Sequence, residues 1–525
     1  DASIDYDKDG TIKPEGGGAG QESRLATDNR CDTGASPTSP CPNYPWRRLL
    51  VGAMGAGGKK ITVGSNTWSS SIFVLDITDP TSPVLLWEKP MPDNTLTTSN
   101  PATVVRLASA ATDASKSENG KWYLVMGSGA ESITTNKLNY KTSENAKIYV
   151  FDLRTGNLEA TLDIGASGVA VGDMMAVDYD SDYQVDDIYF GTYGGTTGAY
   201  TGKFYRLRLR SDTAGPTVVY QSPANWDIET VVDVGRPIFA SPEVAHDVDK
   251  NIWLYFGTGV YLTLEHAAAT PSVNEYLYAV KETEGCWNGL TARASCTYSN
   301  FLDTSGMNFT GAKAVELGCF CAGSLLRTIP CEAAGSCAGT CASGEDTVVL
   351  KVQEATLTGT GIPTTPTNCT ASPNNTDTSA IACLTAAINA SYNGWRRAIT
   401  GQKSFSKPFV AGGLVDFTTF EPTSTSCSLG GNTHLYALHY TTGTAYVQPT
   451  IFLAGGTEGA AMNNLTIKAS VDLGTGVPPL GESLVALPLA GDTYKVITQV
   501  SGGLPGTSMS PSLPAKGGYV LWIVK

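Results

Sequence analysis

Five carboxylates stand within ten consecutive residues, in the segment from residue 178 to residue 187. Four of them occupy positions 1, 3, 5 and 9 of a loop: Asp178, Asp180, Asp182 and Asp186. Carboxylates this close repel one another unless a cation lies among them, and oxygen ligands at alternate positions suit Ca²⁺. Gln184 stands at position 7, where an EF-hand loop supplies a backbone carbonyl. The spacing therefore predicts a Ca²⁺ site built from one contiguous loop.

The residues that follow this loop limit the kind of calcium motif it can form. Residues 188–191, Ile-Tyr-Phe-Gly, have the apolar and aromatic composition of a strand. Because the loop leads into a strand and not into a helix, an ordinary EF-hand pair is not expected. A solvated acidic turn is the alternative interpretation, and the cost of close, unpaired like charges favours the metal site.

Two further acidic runs, at Asp5 and at Asp247, partly match the spacing of a calcium-binding loop. The run from Asp5 to Asp9 resembles the start of an EF-hand loop, but Gly16 stands where the closing carboxylate is expected. This run is a second candidate calcium loop. In the run that begins at Asp247, Lys250 opposes the binding of a cation, so this segment is interpreted as a turn.

Composition excludes several classes of partner and chemistry. The net charge of -14 and a pI near 4.8 argue against nucleic acid and against an anionic membrane surface, because both need clustered Lys and Arg. No apolar stretch approaches the roughly 20 residues that span a bilayer. The chain has only four histidines and carries no nucleophile elbow, zinc-protease or phosphate-loop motif. We therefore expect a protein that is not an enzyme.

Twelve cysteines indicate disulfide bonds and an oxidising compartment. Nine of the twelve lie between Cys286 and Cys383, and none stands in a zinc or haem pattern with histidine. Cys31 and Cys41 form the most local candidate pair. No apolar signal segment opens the chain, so an exported protein is expected here as a processed or partial form.

Internal repeats predict the elements that position these residues. A short apolar run ending in glycine recurs at residues 49–52, 124–127, 188–191 and 254–257, and a fifth, at 414–418, has Thr where Gly is expected. A second run follows each one and has an aromatic at its second place: Phe73, Tyr149, Tyr205, Tyr278 and Tyr436. A third short run precedes the first run and a fourth follows the second, so each repeat has four short strands. This predicts an all-β fold, a modified β-propeller of six to seven blades whose repeated aromatics pack between blades.

The stretch from 285 to 394 interrupts the repeats and is rich in Thr, Ser, Gly, Ala and Cys. A segment of this composition is expected to bury little apolar surface and to depend on cross-links. The predicted organisation has four parts: an N-terminal segment with the second candidate calcium loop at 1–45, the first part of the propeller at 46–284, a disulfide-stapled insertion at 285–394, and the last part of the propeller at 395–525.

Several of these stretches, taken in order, resemble the C-terminal domain of PilY-type proteins, the type IV pilus tip and biogenesis adhesins. Residues 49–52, 55–58 and 74–80 are similar to the family's first blade, and residues 176–182 with Asp186 to its calcium loop. Residues 417–422 and 435–436, with Cys427, resemble a late-blade signature, and residues 471–478 a closing segment.

The resemblance implies a calcium-binding propeller on the surface of a Gram-negative bacterium. It implies that Asp178, Asp180, Asp182 and Asp186 hold Ca²⁺, and that occupancy is linked to pilus extension, retraction and attachment. The implied partners are pilin or minor pilins and an abiotic or cell surface. The sequence lacks the family's long N-terminal part and has no Arg-Gly-Asp tripeptide. A pilus-associated role is therefore favoured over adhesion to host cells.

Two other functions remain open from the sequence. Quinoprotein dehydrogenases that use pyrroloquinoline quinone are also calcium-containing propellers, and residues 149–156 resemble their blade repeats. Those enzymes gather ligands from several blades and many carry a vicinal Cys-Cys, whereas here the acidic residues share one loop and no Cys-Cys occurs. The other function is a subunit that decorates a filament along its length.

Overall fold

The computed structural model describes most of the chain between residues 46 and 509. The described residues are 2–3, 46–55, 60–77, 80–95, 103–107, 121–131, 141–179, 184–196, 199–210, 220–247, 249, 251–263, 266, 274–283, 286, 296–313, 319–322, 327–329, 346–349, 353–423, 430–448, 450–453, 462–463, 466–476, 484–488, 494–498 and 506–509.

These residues divide into two compact units. The first contains the described residues up to Gly195 together with Tyr205–Thr230, and the second contains 196–204 and the described residues from Val231 onward. In neither unit do the described residues include a helix long and apolar enough to cross a membrane.

The first unit begins with short strands and a three-stranded sheet. The strands are β1 (Ala2–Ser3), β2 (Trp46–Arg47), β3 (Leu49–Ala53), β4 (Ile61–Val63), β5 (Asn66–Trp68), β6 (Ser71–Asp76) and β7 (Val84–Pro90). β1 pairs with β2, β4 pairs with β5, and β3, β6 and β7 form an antiparallel sheet in that order. A 3₁₀ turn at Pro92–Asn94 follows.

Two larger sheets complete this unit. Their strands are β8 (Thr103–Leu107), β9 (Lys121–Gly127), β10 (Asn145–Asp152), β11 (Leu158–Ser167), β12 (Val169–Val177), β13 (Asp187–Thr196), β14 (Ala199–Thr201), β15 (Phe204–Arg208) and β16 (Asp227–Val232). The first sheet has the order β11-β10-β9-β8 and the second contains the path β12-β13-β15-β16. A 3₁₀ turn, Pro223–Asn225, precedes β16.

The second unit opens with a sheet that the predicted insertion interrupts. Up to the end of the insertion its elements are β17 (Glu243–His246), β18 (Ile252–Gly257), β19 (Glu275–Glu282), β20 (Leu302–Asp303), β21 (Met307–Lys313), β22 (Cys319–Ala322), β23 (Arg327–Ile329), β24 (Asp346–Val349), β25 (Gln353–Gly359), helix α1 (Asp377–Ser391) and β26 (Gly394–Ile399). The sheet order is β17-β18-β19-β26-β20, with β20 parallel to β26. The chain thus leaves this sheet after β19 and returns to it as β26.

Ten described strands remain, of which eight form two further four-stranded sheets and two join a sheet with strands of the insertion. They are β27 (Phe409–Ala411), β28 (Leu414–Pro422), β29 (Gly431–His439), β30 (Ile451–Leu453), β31 (Met462–Asn463), β32 (Thr466–Ile467), β33 (Ser470–Gly476), β34 (Leu484–Pro488), β35 (Tyr494–Thr498) and β36 (Gly506–Met509). The sheet orders are β27-β28-β29-β33 and β30-β36-β35-β34. Two smaller sheets, β25-β21-β32-β31 and β23-β22-β24, include strands of the insertion.

The insertion contributes to the core, so the expectation that it buries little apolar surface is wrong. Phe309, Leu384 and Ile388 are fully buried in the same hydrophobic cluster as Trp253 and Trp395. The insertion also contains helix α1, which spans 15 residues. The buried side chains of α1 recur at helical spacing. This single apolar stripe is hard to recognise in the sequence because the segment is rich in Thr and Ala.

Disulfide bonds occur within this insertion, as the cysteine pattern predicts. Cys286 bonds to Cys296, and Cys369 bonds to Cys383, which lies on α1. The Cys31–Cys41 pair lies outside the described residues. The predicted all-β propeller is confirmed, and eight of the described sheets have three to five strands, as blades do. The four-part division of the chain stays a prediction.

Candidate metal centre

The predicted calcium loop is the connection between β12 and β13. These strands pair antiparallel, and Val177 lies opposite Asp187 at the end of the ladder. The Asp186 backbone N–H donates to the Val177 carbonyl at 2.9 Å. The Tyr179 backbone N–H donates to Asp186 Oδ2 at 2.7 Å. The two ends of the loop are therefore held together, with Asp178 and Asp186 side by side in the fold at its base.

The structure describes three of the five predicted ligands. Asp178 and Asp186 are buried, with 4% and 0% of their surface exposed, and Gln184 is half-buried. Asp180 and Asp182 lie outside the described residues, as does the second candidate loop at Asp5 to Asp9. Among the residues that are described, no group of three His, Cys, Asp or Glu side chains forms a metal cage. The complete ligand set therefore stays a prediction.

Protein donors hold the Asp186 carboxylate in a fixed orientation. Arg210 Nη1 donates to Asp186 Oδ1 at 3.0 Å, and the Tyr220 hydroxyl donates to the same oxygen at 2.9 Å. The Arg210 guanidinium also lies over the Tyr179 ring, 5.6 Å from its centroid. The Tyr179 hydroxyl forms a hydrogen bond with that of Tyr189. Asp186 is thus fixed by residues from outside the loop.

Arg210 is the last of three buried arginines that follow one another at alternate positions. Arg206 Nη2 lies 2.6 Å from Glu229 Oε2, and Arg208 Nε lies 3.5 Å from Asp187 Oδ1. Side chains alternate along a strand, so residues 206 and 208 of β15 share one face, between β13 and β16. Three guanidiniums thus face three carboxylates, those of Asp186, Asp187 and Glu229. We call these six residues the arginine ladder.

The ladder contains unsatisfied polar atoms at the end nearest the loop. Both Asp187 side-chain oxygens are buried and accept no hydrogen bond, and Nε and Nη2 of Arg210 donate none. Burial alone would lower the pKa of Arg210, but the negative charges of Asp187 and Asp186 outweigh burial and raise that pKa above its ordinary value. The arginine is therefore held as a cation by these two carboxylates.

The residues at the hairpin base fit a divalent cation. The ladder is balanced, with three positive and three negative side chains, whereas Asp178, Asp180 and Asp182 add three further carboxylates by sequence. Hard carboxylate oxygens are the ligands that Ca²⁺ prefers, and these three additional carboxylates give the hairpin a net negative charge. In this arrangement Asp178, Asp180, Asp182, the Gln184 carbonyl and Asp186 would hold the ion.

The acidic run at Asp247 occupies the corresponding hairpin between β17 and β18, and its chemistry differs. Asp247 Oδ1 accepts hydrogen bonds from the backbone N–H groups of Asp249 and Asn251, at 2.9 and 2.8 Å. Asp247 Oδ2 accepts from Asn251 Nδ2 and Trp253 Nε1, at 2.8 and 2.9 Å. Four donors from the hairpin itself satisfy this carboxylate, as expected for an Asx-type turn.

The arginine ladder was not among the sites predicted from the sequence, although its strand carries a local signal. Residues 204–210, Phe-Tyr-Arg-Leu-Arg-Leu-Arg, alternate apolar and basic side chains, which is the signal of a strand with two different faces. The sequence predicts that Tyr205 packs between blades, but it does not indicate which carboxylates pair with the three arginines. Only the order of strands in the sheet shows that they meet Asp186, Asp187 and Glu229.

Antiparallel blade-sized sheets and an acidic hairpin at the end of one of them define a β-propeller protein with a candidate cation site. A family model described as the PilY1 beta-propeller domain matches residues 41–303, half of the chain. The chain belongs to this family, and the resemblance to PilY-type proteins noted from the sequence is confirmed.

Two relatives show how far the similarity extends. The chain is 29% identical over 267 residues to the type IV pilus biogenesis factor PilY1 of Pseudomonas aeruginosa, which covers 47% of this chain and 20% of the relative. It is 29% identical over 230 residues to a PilY1 homolog of Xylella fastidiosa, covering 41% of this chain and 14% of that protein. The chain thus spans a fifth or less of these relatives.

A solved structure shares the fold. The crystal structure of the Pseudomonas aeruginosa PilY1 C-terminal domain is similar to this chain with a TM-score of 0.51 and 18% sequence identity. The similarity covers 89% of this chain and 82% of the crystallised one. It supports the modified propeller, and no functional residue is carried over from it.

Proposed function

We propose that this chain is a calcium-binding, cell-surface part of the type IV pilus machinery that acts in pilus assembly and in surface adhesion. Membership of the PilY1 propeller family is the observation that carries the pilus role, because the relatives it matches are named type IV pilus biogenesis factors. The proposed partners are pilin or minor pilins, with an abiotic or cell surface as the adhesion target.

Calcium is the second part of the proposal, and the hairpin base supports it. Asp178 and Asp186 lie buried at the two ends of one loop that also contains Asp180 and Asp182 by sequence. Bound Ca²⁺ would neutralise the carboxylates of the loop. Asp186, held by the Tyr220 hydroxyl and the Tyr179 backbone N–H, would present a fixed ligand, and the paired strands would keep the loop ends in place.

Export to the cell surface is consistent with the cysteine chemistry. Disulfides persist in oxidising compartments, and Cys286–Cys296 and Cys369–Cys383 are both formed. A bacterial cell-surface location is therefore proposed together with the pilus role.

Calcium binding is tested by titration calorimetry and by thermal unfolding with and without chelator. We expect wild type to bind Ca²⁺ and to lose stability on chelation, by about 2.7 kcal/mol when the free ion was at a hundredfold excess over its Kd. Asp180→Ala should remove this dependence. Equal melting curves with and without chelator in the wild type would exclude the calcium site.

The pilus role is tested by immunogold electron microscopy of intact cells and of a strain that lacks pilin. Label at filament tips that disappears without pilin supports the assembly and adhesion role. Label along the shaft supports a subunit that decorates the filament. Label that does not change when pilin is removed would contradict a pilus function.

A further inference from the structure

We propose that Arg210 is an internal counter-ion that competes with calcium for Asp186 and so sets how tightly the hairpin binds the ion. This inference rests on the proposed calcium site. It assigns a role to a residue outside the predicted loop, 24 positions after Asp186 in sequence. Arg210 acts through Asp186 and touches no other predicted ligand in the described contacts.

Arg210 forms its side-chain hydrogen bond with the Asp186 carboxylate. Nη1 donates to Asp186 Oδ1 at 3.0 Å, and the other side-chain donors, Nε and Nη2, have no hydrogen-bond acceptor although they are buried. A guanidinium has five N–H donors in a planar fork and is usually paired through two of them. Arg210 therefore stabilises Asp186 mainly through its charge.

Asp187 is a second carboxylate that acts on Arg210. Both of its oxygens are buried without a hydrogen bond, Oδ1 lies 3.5 Å from Arg208 Nε, and its negative charge, like that of Asp186, raises the pKa of Arg210. A guanidinium released from Asp186 thus keeps a carboxylate partner within the ladder. Partial loss of the Asp186 contact does not leave Arg210 as an isolated buried cation, which would be very costly.

Charge balance gives the direction of the effect on calcium affinity. Without calcium, the positive charge of Arg210 offsets one of several crowded carboxylates and stabilises the protein. With calcium bound, the ion supplies that charge, and Arg210 and Ca²⁺ repel each other. Because Arg210 stabilises the calcium-free protein more than the calcium-bound protein, it must lower calcium affinity by thermodynamic linkage.

The test compares Arg210→Met with Arg206→Met by titration calorimetry and by thermal unfolding with and without Ca²⁺. Met preserves most of the apolar length of the side chain and removes its charge. We expect Arg210→Met to bind Ca²⁺ about tenfold to a hundredfold more tightly, the scale of outer-shell effects on metal affinity. Its melting temperature should fall more without calcium than with it.

Arg206→Met is the matched control. Arg206 is buried on the same side of β15 and pairs with Glu229, roughly 13 Å along the strand from Arg210. This variant should lose stability by similar amounts with and without calcium, and its calcium affinity should match the wild type. If both variants gained affinity equally, a general loosening of the ladder would explain the result, and the role of Arg210 would be rejected.

A trivalent ion separates charge from geometry. Repulsion grows with the charge of the bound ion, so the gain in affinity on Arg210→Met should be larger for La³⁺ than for Ca²⁺. An equal gain for the two ions would show that the effect of Arg210 does not depend on the charge of the bound ion, and it would overturn the proposal. No gain or a loss of affinity would also overturn it, because Arg210 would then only orient Asp186.

Arg210→Lys keeps the proposal testable if Arg210→Met does not fold. Lys retains the charge and loses the planar fork, so calcium affinity should stay within about twofold of the wild type, a difference smaller than outer-shell substitutions normally cause. A tenfold change in either direction would contradict the proposal. If the wild type bound no calcium, the proposed calcium site and this inference would both fail; if it bound calcium and Arg210→Met had wild-type affinity, this inference alone would fail.

Discussion

The β12–β13 and β17–β18 hairpins connect corresponding strands of two sheets, and both begin with aspartate, yet they neutralise their buried carboxylates in different ways. Asp247 accepts four hydrogen bonds from its own hairpin. Asp186 accepts from the Tyr179 backbone N–H of its own hairpin and also from Arg210 and Tyr220, which come from the chain beyond β15. A carboxylate satisfied locally needs no further cation, whereas one satisfied by a distant charge can exchange that partner for an ion.

A third buried carboxylate extends the comparison. Asp416 on β28 is fully buried and accepts a hydrogen bond from the Ser508 hydroxyl at 2.9 Å, while its Oδ1 accepts none. Burial raises the pKa of Asp416 to about 7, and the Ser508 hydrogen bond opposes this only in part. A bound proton therefore neutralises Asp416, whereas Arg210 neutralises Asp186.

The largest effect is expected from Asp186→Asn. This change breaks the buried ion pair between Asp186 and Arg210 and leaves the Arg210 and Tyr220 donors facing a neutral amide. Removing one partner of a buried ion pair typically costs about 3–5 kcal/mol. Chemical denaturation in excess calcium measures the loss of unfolding free energy. The control is Asp249→Asn in the other hairpin, an exposed site where we expect less than about 0.5 kcal/mol. A small loss at Asp186 would remove the contrast between the hairpins.

Asp416→Asn should change how stability depends on pH. Because the folded-state pKa is raised above the ordinary value of 3.8, the folded protein holds this proton more tightly than the unfolded chain. The stabilisation from protonated Asp416 is complete below about pH 4 and is lost as pH rises through about 7. The unfolding free energy of the variant should therefore rise relative to that of the wild type between pH 4 and pH 8. The expected difference is up to about 4 kcal/mol, because the pKa shift is about three units and each unit corresponds to about 1.36 kcal/mol.

Denaturation curves at pH 4, 6 and 8 test this expectation. Ser508→Ala provides a control that removes the hydrogen bond and keeps the carboxyl group, so its stability should still fall as pH rises. His439, which is buried and has its pKa lowered to about 3, contributes the opposite slope below pH 6.5. Parallel pH profiles for the wild type and Asp416→Asn would show that Asp416 is not protonated in the folded state.

The smallest effect is expected from Asp247→Ala. The change removes an acceptor for four donors, but two of these are backbone groups in a surface turn that water reaches, so we expect a loss of about 2 kcal/mol, near the upper end for loss of a capping side chain. The loss should be the same with calcium and with chelator. A calcium-dependent loss would mean that this hairpin also binds the ion and that the two hairpins do not differ in kind.

Local sequence patterns predicted much of the fold because they are short-range. Short apolar runs ending in glycine, such as residues 188–191 and 254–257, lie in β13 and β18. The clustered cysteines predicted disulfides, two of which are formed. The prediction that the insertion buries little apolar surface was wrong, because its composition is polar on average although Phe309 and Leu384 lie in the core. Average composition does not report which few side chains share a face.

The sequence by itself determined the repeated strands, the acidic loop and the positions of its carboxylates, since each is a pattern within about ten residues. The tertiary structure alone decided which charges meet. Residues 206, 208 and 210 alternate in sequence, but their pairing with Asp187, Glu229 and Asp186 depends on β15 lying between β13 and β16. Strand order is set by packing of the whole sheet, and no local pattern encodes it.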